Sequence, residues 1–207
     1  MKRLAFTMLE LVFVIVVIGI LSAAIIPRMD RDSIYEMGEQ VLSHIKYTQH
    51  LAMTDNVYNH KESKWYIARW HIDFVNSSTC GAYYSVGSDA DLTNTVNGLN
   101  IGRYTSQEAA RDPLTNTLIY NNTCTDHDGW YNDVMLGKKY NIVSMTSTCT
   151  KRIIFDHIGR PYTAFNTSSH VANKMNNDCN YTFTDGSGNS ATITVTAETG
   201  YSYITYN

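Results

Sequence analysis

The chain of 207 residues contains four cysteines, the residue type with the most distinctive chemistry in this sequence. They are Cys80, Cys124, Cys149 and Cys179. None belongs to a C-x-x-C pair, which argues against a ribbon-type zinc site. Their even number favours two disulfides if this part of the chain lies outside the cytoplasm.

The choice among the three pairings that four cysteines allow is left open by the sequence alone. Strand candidates at 152–156, 162–165 and 180–184 bear on this choice. If they form successive antiparallel strands, the first and the third run in the same direction, and Cys149 and Cys179 then lie at the same end. This arrangement favours a Cys149–Cys179 bridge, with Cys80 and Cys124 forming the second one.

Two acidic stretches carry oxygen ligands at close spacing, as calcium sites do. The first contains Asp89, Asp91, Asn94 and Asn97, and the second contains Asp126, His127, Asp128 and Asp133. Neither fits the EF-hand loop with its terminal glutamate. We interpret both stretches as solvated turns, with calcium as the alternative, and we expect no cofactor. Cys124 and His127 are two conceivable zinc ligands, but a disulfide at Cys124 is the preferred interpretation.

No group of residues in the sequence supports an enzyme. The seven histidines do not cluster with a serine or cysteine nucleophile. The sequence has no G-x-S-x-G, no glycine-rich phosphate loop and no H-E-x-x-H. The formal net charge is −3 and the basic residues are scattered, so no nucleic-acid partner is expected either.

One carboxylate stands inside the apolar N-terminal stretch. Between positions 6 and 27 the only ionisable side chain is Glu10. As a helix with a rise of about 1.5 Å per residue, this stretch is about 31 Å long, which matches the apolar core of a bilayer. Lys2 and Arg3 precede it and predict a cytoplasmic N-terminus.

A secretory signal peptide, cut near Ala24, is the alternative interpretation of this stretch. Two observations count against it. A carboxylate in an apolar span costs roughly 2.5–3.5 kcal/mol at mid-membrane, and a cleavable signal has no use for it. The helical pattern also continues beyond Pro27, where we expect a kink. Ser33 and Glu36 resemble a capping box. Positions expected to face a core then recur at helical spacing: Ile34, Met37, Val41, Ile45, Thr48 and Ala52.

The run Phe6-Thr7-Met8-Leu9-Glu10, an apolar stretch and Ile26-Pro27 resembles the N-terminal signal of type IV pilins and type II secretion pseudopilins. This resemblance implies that a prepilin peptidase cuts between Ala5 and Phe6 and methylates the new amine of Phe6. Residues 1–5 are then a leader, 6–27 a transmembrane helix with its kink at Pro27, and 28–54 the continuation of that helix. The family implies that Glu10 pairs with the Phe6 amine of a neighbouring subunit and sets the register of assembly. The family prefers glycine before the cut, where this chain has Ala5.

The remaining part, residues 55–207, consists of short strand candidates separated by turn signals. The stretch 66–74 alternates between apolar and polar residues, and a short helix is predicted at 106–111. The other strand candidates lie at 80–86, 118–120, 140–145, 152–156, 162–165, 180–184, 191–197 and 201–206. The sequence therefore predicts an α+β protein, a long N-terminal helix followed by an antiparallel β-sandwich-like domain.

The stretches 153–161 and 191–201 are similar to the H-type minor pseudopilins, which have an F-D-x-x-G-R-type hairpin and a C-terminal strand near a glycine. The similarity implies a low-copy filament subunit whose partners are other pilin-like subunits, the prepilin peptidase, the inner-membrane assembly platform and membrane lipid. The expected location is the inner membrane, single-pass, with a periplasmic C-terminal domain. The alternatives are a DNA-uptake minor pilin, disfavoured because the tail from Glu198 to Asn207 has no basic residue, and a secreted globular protein.

Overall fold

The computed structural model describes residues 8–92, 95–96, 99–100, 105–165 and 169–207, with side chains except at 23–32, 95–96 and 99–100. Its helices are α1 (Met8–Thr54) and α2 (Leu136–Tyr140). Its strands are β1 (His71–Ser77), β2 (Gly81–Gly87), β3 (Thr95–Val96), β4 (Leu99–Asn100), β5 (Ile142–Ser147), β6 (Arg152–Phe155), β7 (Pro161–Tyr162), β8 (Cys179–Asp185), β9 (Ser190–Val195) and β10 (Ser202–Tyr206).

The helix α1 is a single element of 47 residues. The six positions predicted to face a core, Ile34, Met37, Val41, Ile45, Thr48 and Ala52, are all buried. The predicted capping box at Ser33 is wrong, because α1 passes through this position without starting there. Ser33 instead donates a hydrogen bond of 3.5 Å from Oγ to the carbonyl of Tyr140. The helix ends where Thr54 turns its hydroxyl back onto the carbonyl of His50, at 2.9 Å.

Two four-stranded antiparallel sheets form the globular part. The first has the strand order β2-β1-β6-β7, and the second has the order β10-β9-β8-β5. The strands β3 and β4 pair separately with each other. In β8 the alternation of side chains is regular, since Cys179, Tyr181, Phe183 and Asp185 are buried while the residues between them are half-buried. This period of two is that of a strand with one face on a core.

One apolar core joins both sheets and the second half of α1. Phe74 on β1 packs against Tyr181 and Phe183 on β8, with ring centroids 5.1 and 5.7 Å apart. Val41 and Ile45 of α1 are fully buried in the same core. The α+β class with two antiparallel sheets is thereby confirmed.

Three local predictions are wrong. No strand forms at 118–120, where Leu118 makes only isolated bridges to Arg111 and Trp130. The strand predicted at 66–74 begins only at His71, because Trp65–Ala68 forms a short 3₁₀ helix. No helix forms at 106–111, because the backbone there extends the edge of β2 instead. The amide of Ala110 donates to the carbonyl of Val86 at 2.9 Å, and Ile119 donates to Ala110 at 2.7 Å.

Within the part of the chain that is described, no helix has the combination of length and apolarity that crossing a membrane requires. The transmembrane helix predicted at 6–27 stays a prediction.

Candidate assembly segment and its anchoring to the globular domain

The first part of α1, residues 8–22, is an exposed apolar segment. Every residue from Met8 to Ser22 is exposed, with Met8 at 83% and even the least exposed of the large apolar residues, Val17, at 37%. The apolar side chains lie on all sides of the helix. A helix that is apolar all round is normally covered by protein or lipid. Burial of apolar surface contributes about 25 cal/mol per Å², so this segment is a strong candidate for binding something outside its own globular domain.

Glu10 is the single charge of the apolar segment and lies in the first turn of α1. Ala5 and Phe6 lie outside the described residues, and so does the leader 1–5. Cleavage, methylation and a contact between Glu10 and an amine of Phe6 therefore stay predictions. Pro27 lies within α1, but its side chain is not among those described, and the kink there also stays a prediction.

A chain of buried and half-buried hydrogen bonds anchors the middle of α1 to the globular domain. Tyr140 donates from its hydroxyl to Oε1 of Gln40 at 2.6 Å, and Nε2 of Gln40 donates to the hydroxyl of Tyr84 at 2.8 Å. That hydroxyl lies 2.6 Å from Nδ1 of His44. On the other side of the ring, Nε2 of His44 is 3.5 Å from Oδ2 of Asp112. Helix, sheet and loop are thus connected through one continuous polar path.

The direction of the protons along this path follows from the donors available. The hydroxyl of Tyr84 accepts from Gln40 and is then free to donate to Nδ1 of His44, which leaves the proton of the ring on Nε2, facing Asp112. Burial lowers the pKa of His44, and the hydrogen bond and charge of Asp112 only partly oppose this effect. Both results favour a neutral imidazole at neutral pH.

Asp112 is held as a carboxylate by its local hydrogen bonds. Burial acts to raise its pKa, but the amide and hydroxyl of Thr115, the amide of Leu114 and the ring of His44 outweigh this effect, so that the pKa lies below its ordinary value. Oδ1 of Asp112 accepts from the amides of Leu114 and Thr115 at 3.0 and 2.7 Å. These bonds fix the turn that presents the carboxylate to α1.

A second anchor holds the C-terminal part of α1. Nε2 of Gln49 donates to the carbonyls of Gly159 and Thr199, both at 2.9 Å. Gly200 has a positive φ of 67°, and a Cβ there would lie 2.6 Å from the carbonyl of Gly159. The two stretches on which the second family resemblance was based, 153–161 and 191–201, therefore meet at one point, and Gln49 lies between them.

The hairpin at Asp156 is organised by that single buried carboxylate. Oδ1 of Asp156 accepts from the amides of Ile158 and Arg160, and Oδ2 accepts from Nε of Arg160 at 2.8 Å. Burial acts to raise the pKa of Asp156, but the hydrogen bonds from Arg160 and Ile158 outweigh it and the pKa is lowered. The F-D-x-x-G-R pattern thus has a local structural explanation in this chain.

Both disulfides favoured by the sequence are present. Cys80 is bonded to Cys124 and Cys149 to Cys179, with Cα atoms 5.5 and 5.6 Å apart. The reason for the second bridge differs from the predicted one, because β8 pairs with β5 and not with β7. Ser147 on β5 is opposite Tyr181 on β8. Two residues further along this register, Cys149 faces Cys179.

The two acidic stretches have different arrangements. The carboxylate oxygens of Asp89 and Asp91 lie within 4.8 Å of each other and of a carboxylate oxygen of Glu108, a set that could offer three oxygen ligands to a cation. Sequence reasoning missed Glu108, which is distant in the chain, and Asn94 and Asn97 lie outside the described residues. In the second stretch, two carboxylates form ion pairs, Asp126 with Lys138 at 2.7 Å and Asp133 with Lys139 at 3.4 Å.

The polar groups that anchor α1 were also missed by sequence reasoning. Gln40, His44 and Gln49 lie between the apolar positions of the helical pattern, and nothing in their spacing distinguishes them from exposed polar residues. No protein-family model, no curated protein and no solved structure matches this chain.

Proposed function

We propose that this chain is a pilin-like subunit, and more specifically a minor pseudopilin, of a type II secretion or type IV pilus filament. A prepilin peptidase removes residues 1–5, and the mature chain assembles through its N-terminal helix. Before assembly, residues 6–27 are held in the inner membrane and the domain 55–207 lies in the periplasm. The protein has a structural role and is not an enzyme.

The observation that carries this proposal is the apolar segment, residues 8–22. It is continuous with a helix whose second half is buried in the globular domain, while its own apolar side chains are exposed on all sides. Such a segment is suited to membrane lipid in one state and to neighbouring copies of the same helix in another. Glu10, its single carboxylate, is then costly in lipid and favourable beside a cationic amine.

The first test is the N-terminus of the protein isolated from membranes, with and without the prepilin peptidase. We expect intact mass and N-terminal sequencing to give a chain that begins at methylated Phe6 only when the peptidase is present. A chain that begins near Ile25 and is found free in the periplasm would contradict the proposal and would favour the secreted alternative.

The second test separates assembly from folding. We expect Glu10→Gln to reduce incorporation into sheared filaments or into cross-linked pseudopilin complexes by at least tenfold, while the unfolding midpoint of the globular domain is unchanged. Glu62→Gln, which removes a carboxylate from an exposed loop residue, is the matched control and should assemble as the unmodified chain does. Equal incorporation of both variants would remove the register role of Glu10.

A further inference from the structure

A cavity of about 510 Å³ lies beyond the C-terminal end of α1, at the opposite end of the helix from the apolar segment. At about 1.5 Å per residue, roughly 48 Å of helix, from Ser22 to Thr54, separates the two. The last two residues of α1 and the chain that follows form one side of the cavity, from Met53 to Tyr58. Trp65, Arg69 and His170 line it from the other side, with His157 and Arg160 of the hairpin. Its volume is in the range of small-molecule sites, about 300–1,000 Å³.

Arg69 is the unusual residue of this cavity, because its charge is almost completely buried. Its relative exposure is 6%. Nη1 donates to the carbonyl of His170 at 3.0 Å, and Nε has no acceptor among the residues that the structure describes. Over the same described residues, no carboxylate forms an ion pair with Arg69. A buried cation without a direct counter-ion is costly, and buried charges in proteins are normally paired.

Aromatic rings hold the guanidinium of Arg69 in place. It lies over the ring of Tyr162 at 4.7 Å, and Trp65 and Tyr66 are 5.5 and 6.0 Å away. These contacts fix the planar group by cation–π attraction. Burial lowers the pKa of Arg69, and the hydroxyl of Tyr162 and the charge of Asp156 only partly oppose this effect. A fixed guanidinium without a direct carboxylate partner is preorganised for an oxyanion, which it can bind with two parallel hydrogen bonds.

The rest of the cavity wall is consistent with an anion. Arg160 contributes a second guanidinium, which forms an ion pair of 2.8 Å with Asp156, and His157 and His170 contribute two exposed imidazoles. The cavity wall includes one carboxylate, Asp55, which accepts a hydrogen bond of 2.8 Å from the indole of Trp70. Cationic and protonatable groups therefore outnumber carboxylates around this space.

The wall also offers an aromatic surface. Trp65 is half-buried and Tyr58 is exposed, and their rings meet edge to face with centroids 5.2 Å apart. A flat apolar group can pack on such rings while its charged end reaches the arginines.

From these observations we infer that the cavity binds a small aromatic or similarly flat molecule that carries a phosphate or a carboxylate. The oxyanion contacts Arg69 and Arg160, and the flat part contacts Trp65 and Tyr58. This inference goes beyond the proposed filament role and does not depend on it, because it concerns binding by the globular domain whether or not the chain assembles.

The test is isothermal titration calorimetry of the full chain in a non-ionic detergent at low salt. The probes are phenyl phosphate, benzoate, inorganic phosphate and phenol. We expect phenyl phosphate or benzoate to bind at least tenfold more tightly than inorganic phosphate, and phenol not to bind. The comparison of phenyl phosphate with benzoate identifies which oxyanion is preferred. Absence of binding by both aromatic anions would overturn the inference.

The matched variants are Arg69→Gln and Arg111→Gln, the latter an exposed arginine outside the cavity wall. We expect Arg69→Gln to weaken binding of the aromatic anion at least tenfold and Arg111→Gln to leave it unchanged. Circular dichroism establishes that each variant is folded. If Arg69→Gln is unfolded, Trp65→Leu replaces it, and we expect this variant to lose the preference for phenyl phosphate over inorganic phosphate. An unchanged affinity in a folded Arg69→Gln, or an unchanged preference in Trp65→Leu, would contradict the inference.

Discussion

The two halves of α1 contain the same kinds of aliphatic residue, yet their exposure is opposite. In the apolar segment, residues 8–22, twelve large apolar side chains are exposed. In the second half, which we call the anchored segment, residues 33–54, Ile34, Met37, Val41 and Ile45 are each at most 2% exposed. The apolar segment is hydrophobic on every side, whereas the anchored segment has one apolar stripe and polar residues elsewhere.

This difference shows how one helix can serve two partners. The stripe of the anchored segment matches the single core that the two sheets provide, so its burial stabilises this chain by itself. The all-round pattern of the apolar segment cannot be buried against one domain. Burial of its apolar surface therefore stabilises the membrane-bound or assembled state, in which lipid or other chains surround it. Substitutions that change apolar volume should therefore alter the free energy of unfolding in the anchored segment and alter assembly in the apolar segment.

The largest expected difference is between Ile45→Ala and Ile15→Ala. Ile45 is fully buried, and its truncation leaves a cavity in the shared core, so we expect the free energy of unfolding to fall by about 2–5 kcal/mol. Ile15 is 61% exposed, and the same truncation there should change the free energy of unfolding by less than about 0.5 kcal/mol. Denaturant unfolding of the globular domain in non-ionic detergent, followed by circular dichroism, measures both.

The same pair of variants is expected to show the reverse order in assembly. Ile15→Ala should reduce filament incorporation more than its effect on stability explains, because its side chain lies in the segment that we propose to contact neighbours. If Ile15→Ala lowers the free energy of unfolding of the globular domain in the full chain as much as Ile45→Ala does, the two segments are not separate in function and the comparison fails.

The next difference concerns the two glycines of α1. A side chain at Gly38 would collide with β10, since an added Cβ would lie 2.3 Å from Cδ1 of Ile204 and 3.0 Å from the hydroxyl of Tyr206. No heavy atom lies within 4 Å of the corresponding position at Gly19. We expect Gly38→Leu to lower the free energy of unfolding by about 1–3 kcal/mol through overpacking. The matched Gly19→Leu should leave it unchanged or raise it slightly, because leucine is the better helix former.

Thermal unfolding of both glycine variants, at equal protein and detergent concentration, provides the measurement. Equal midpoints for the two would mean that β10 moves away from α1 at little cost. Close packing of β10 on the anchored segment would then not be a determinant of stability.

The anchored segment was predictable from the sequence to the extent that it depends on periodicity. Apolar positions from Ile34 to Ala52 recur at helical spacing, and burial follows that spacing residue by residue. The partners of the polar residues between them could not be predicted. Gln40 and His44 bond to Tyr84, which is 44 and 40 residues further along the chain, and only the folded topology brings these groups together.

The disulfides illustrate a correct prediction with an incomplete reason. The pairing of Cys149 with Cys179 was favoured by assuming three successive strands of one sheet. The chain instead crosses from β7 to the second sheet, where β8 pairs with β5. Short strands with turns between them do not specify which sheet each strand joins, because that choice depends on side-chain packing across the core. The failed helix at 106–111 has the same origin, since the edge of β2 competes for its backbone hydrogen bonds.

The smallest expected effect is the dependence of stability on pH that comes from His44 in the anchored segment. Burial lowers the pKa of His44 below its ordinary value of 6.5. Below pH 6.5 the unfolded chain therefore takes up a proton that the folded chain does not. We expect the free energy of unfolding to decrease as the pH falls from 6.5 toward the lower pKa of the folded state. One proton gives a slope of at most about 1.4 kcal/mol per pH unit.

The groups around His44 determine how this dependence can be isolated. Tyr84 and Asp112 bond to its two ring nitrogens, and the ring of Tyr131 lies 5.3 Å away. Tyrosines titrate far above this window, and the lowered pKa of Asp112 places its own titration below it. We expect His44→Gln to lower the free energy of unfolding by about 1–3 kcal/mol at pH 7.5, because it leaves buried polar groups without hydrogen-bond partners. It should also flatten the pH dependence between 6.5 and 5, whereas His60→Gln on an exposed loop should retain it. A slope that survives in His44→Gln would assign the pH dependence to another group and would leave the two segments of α1 alike in this respect.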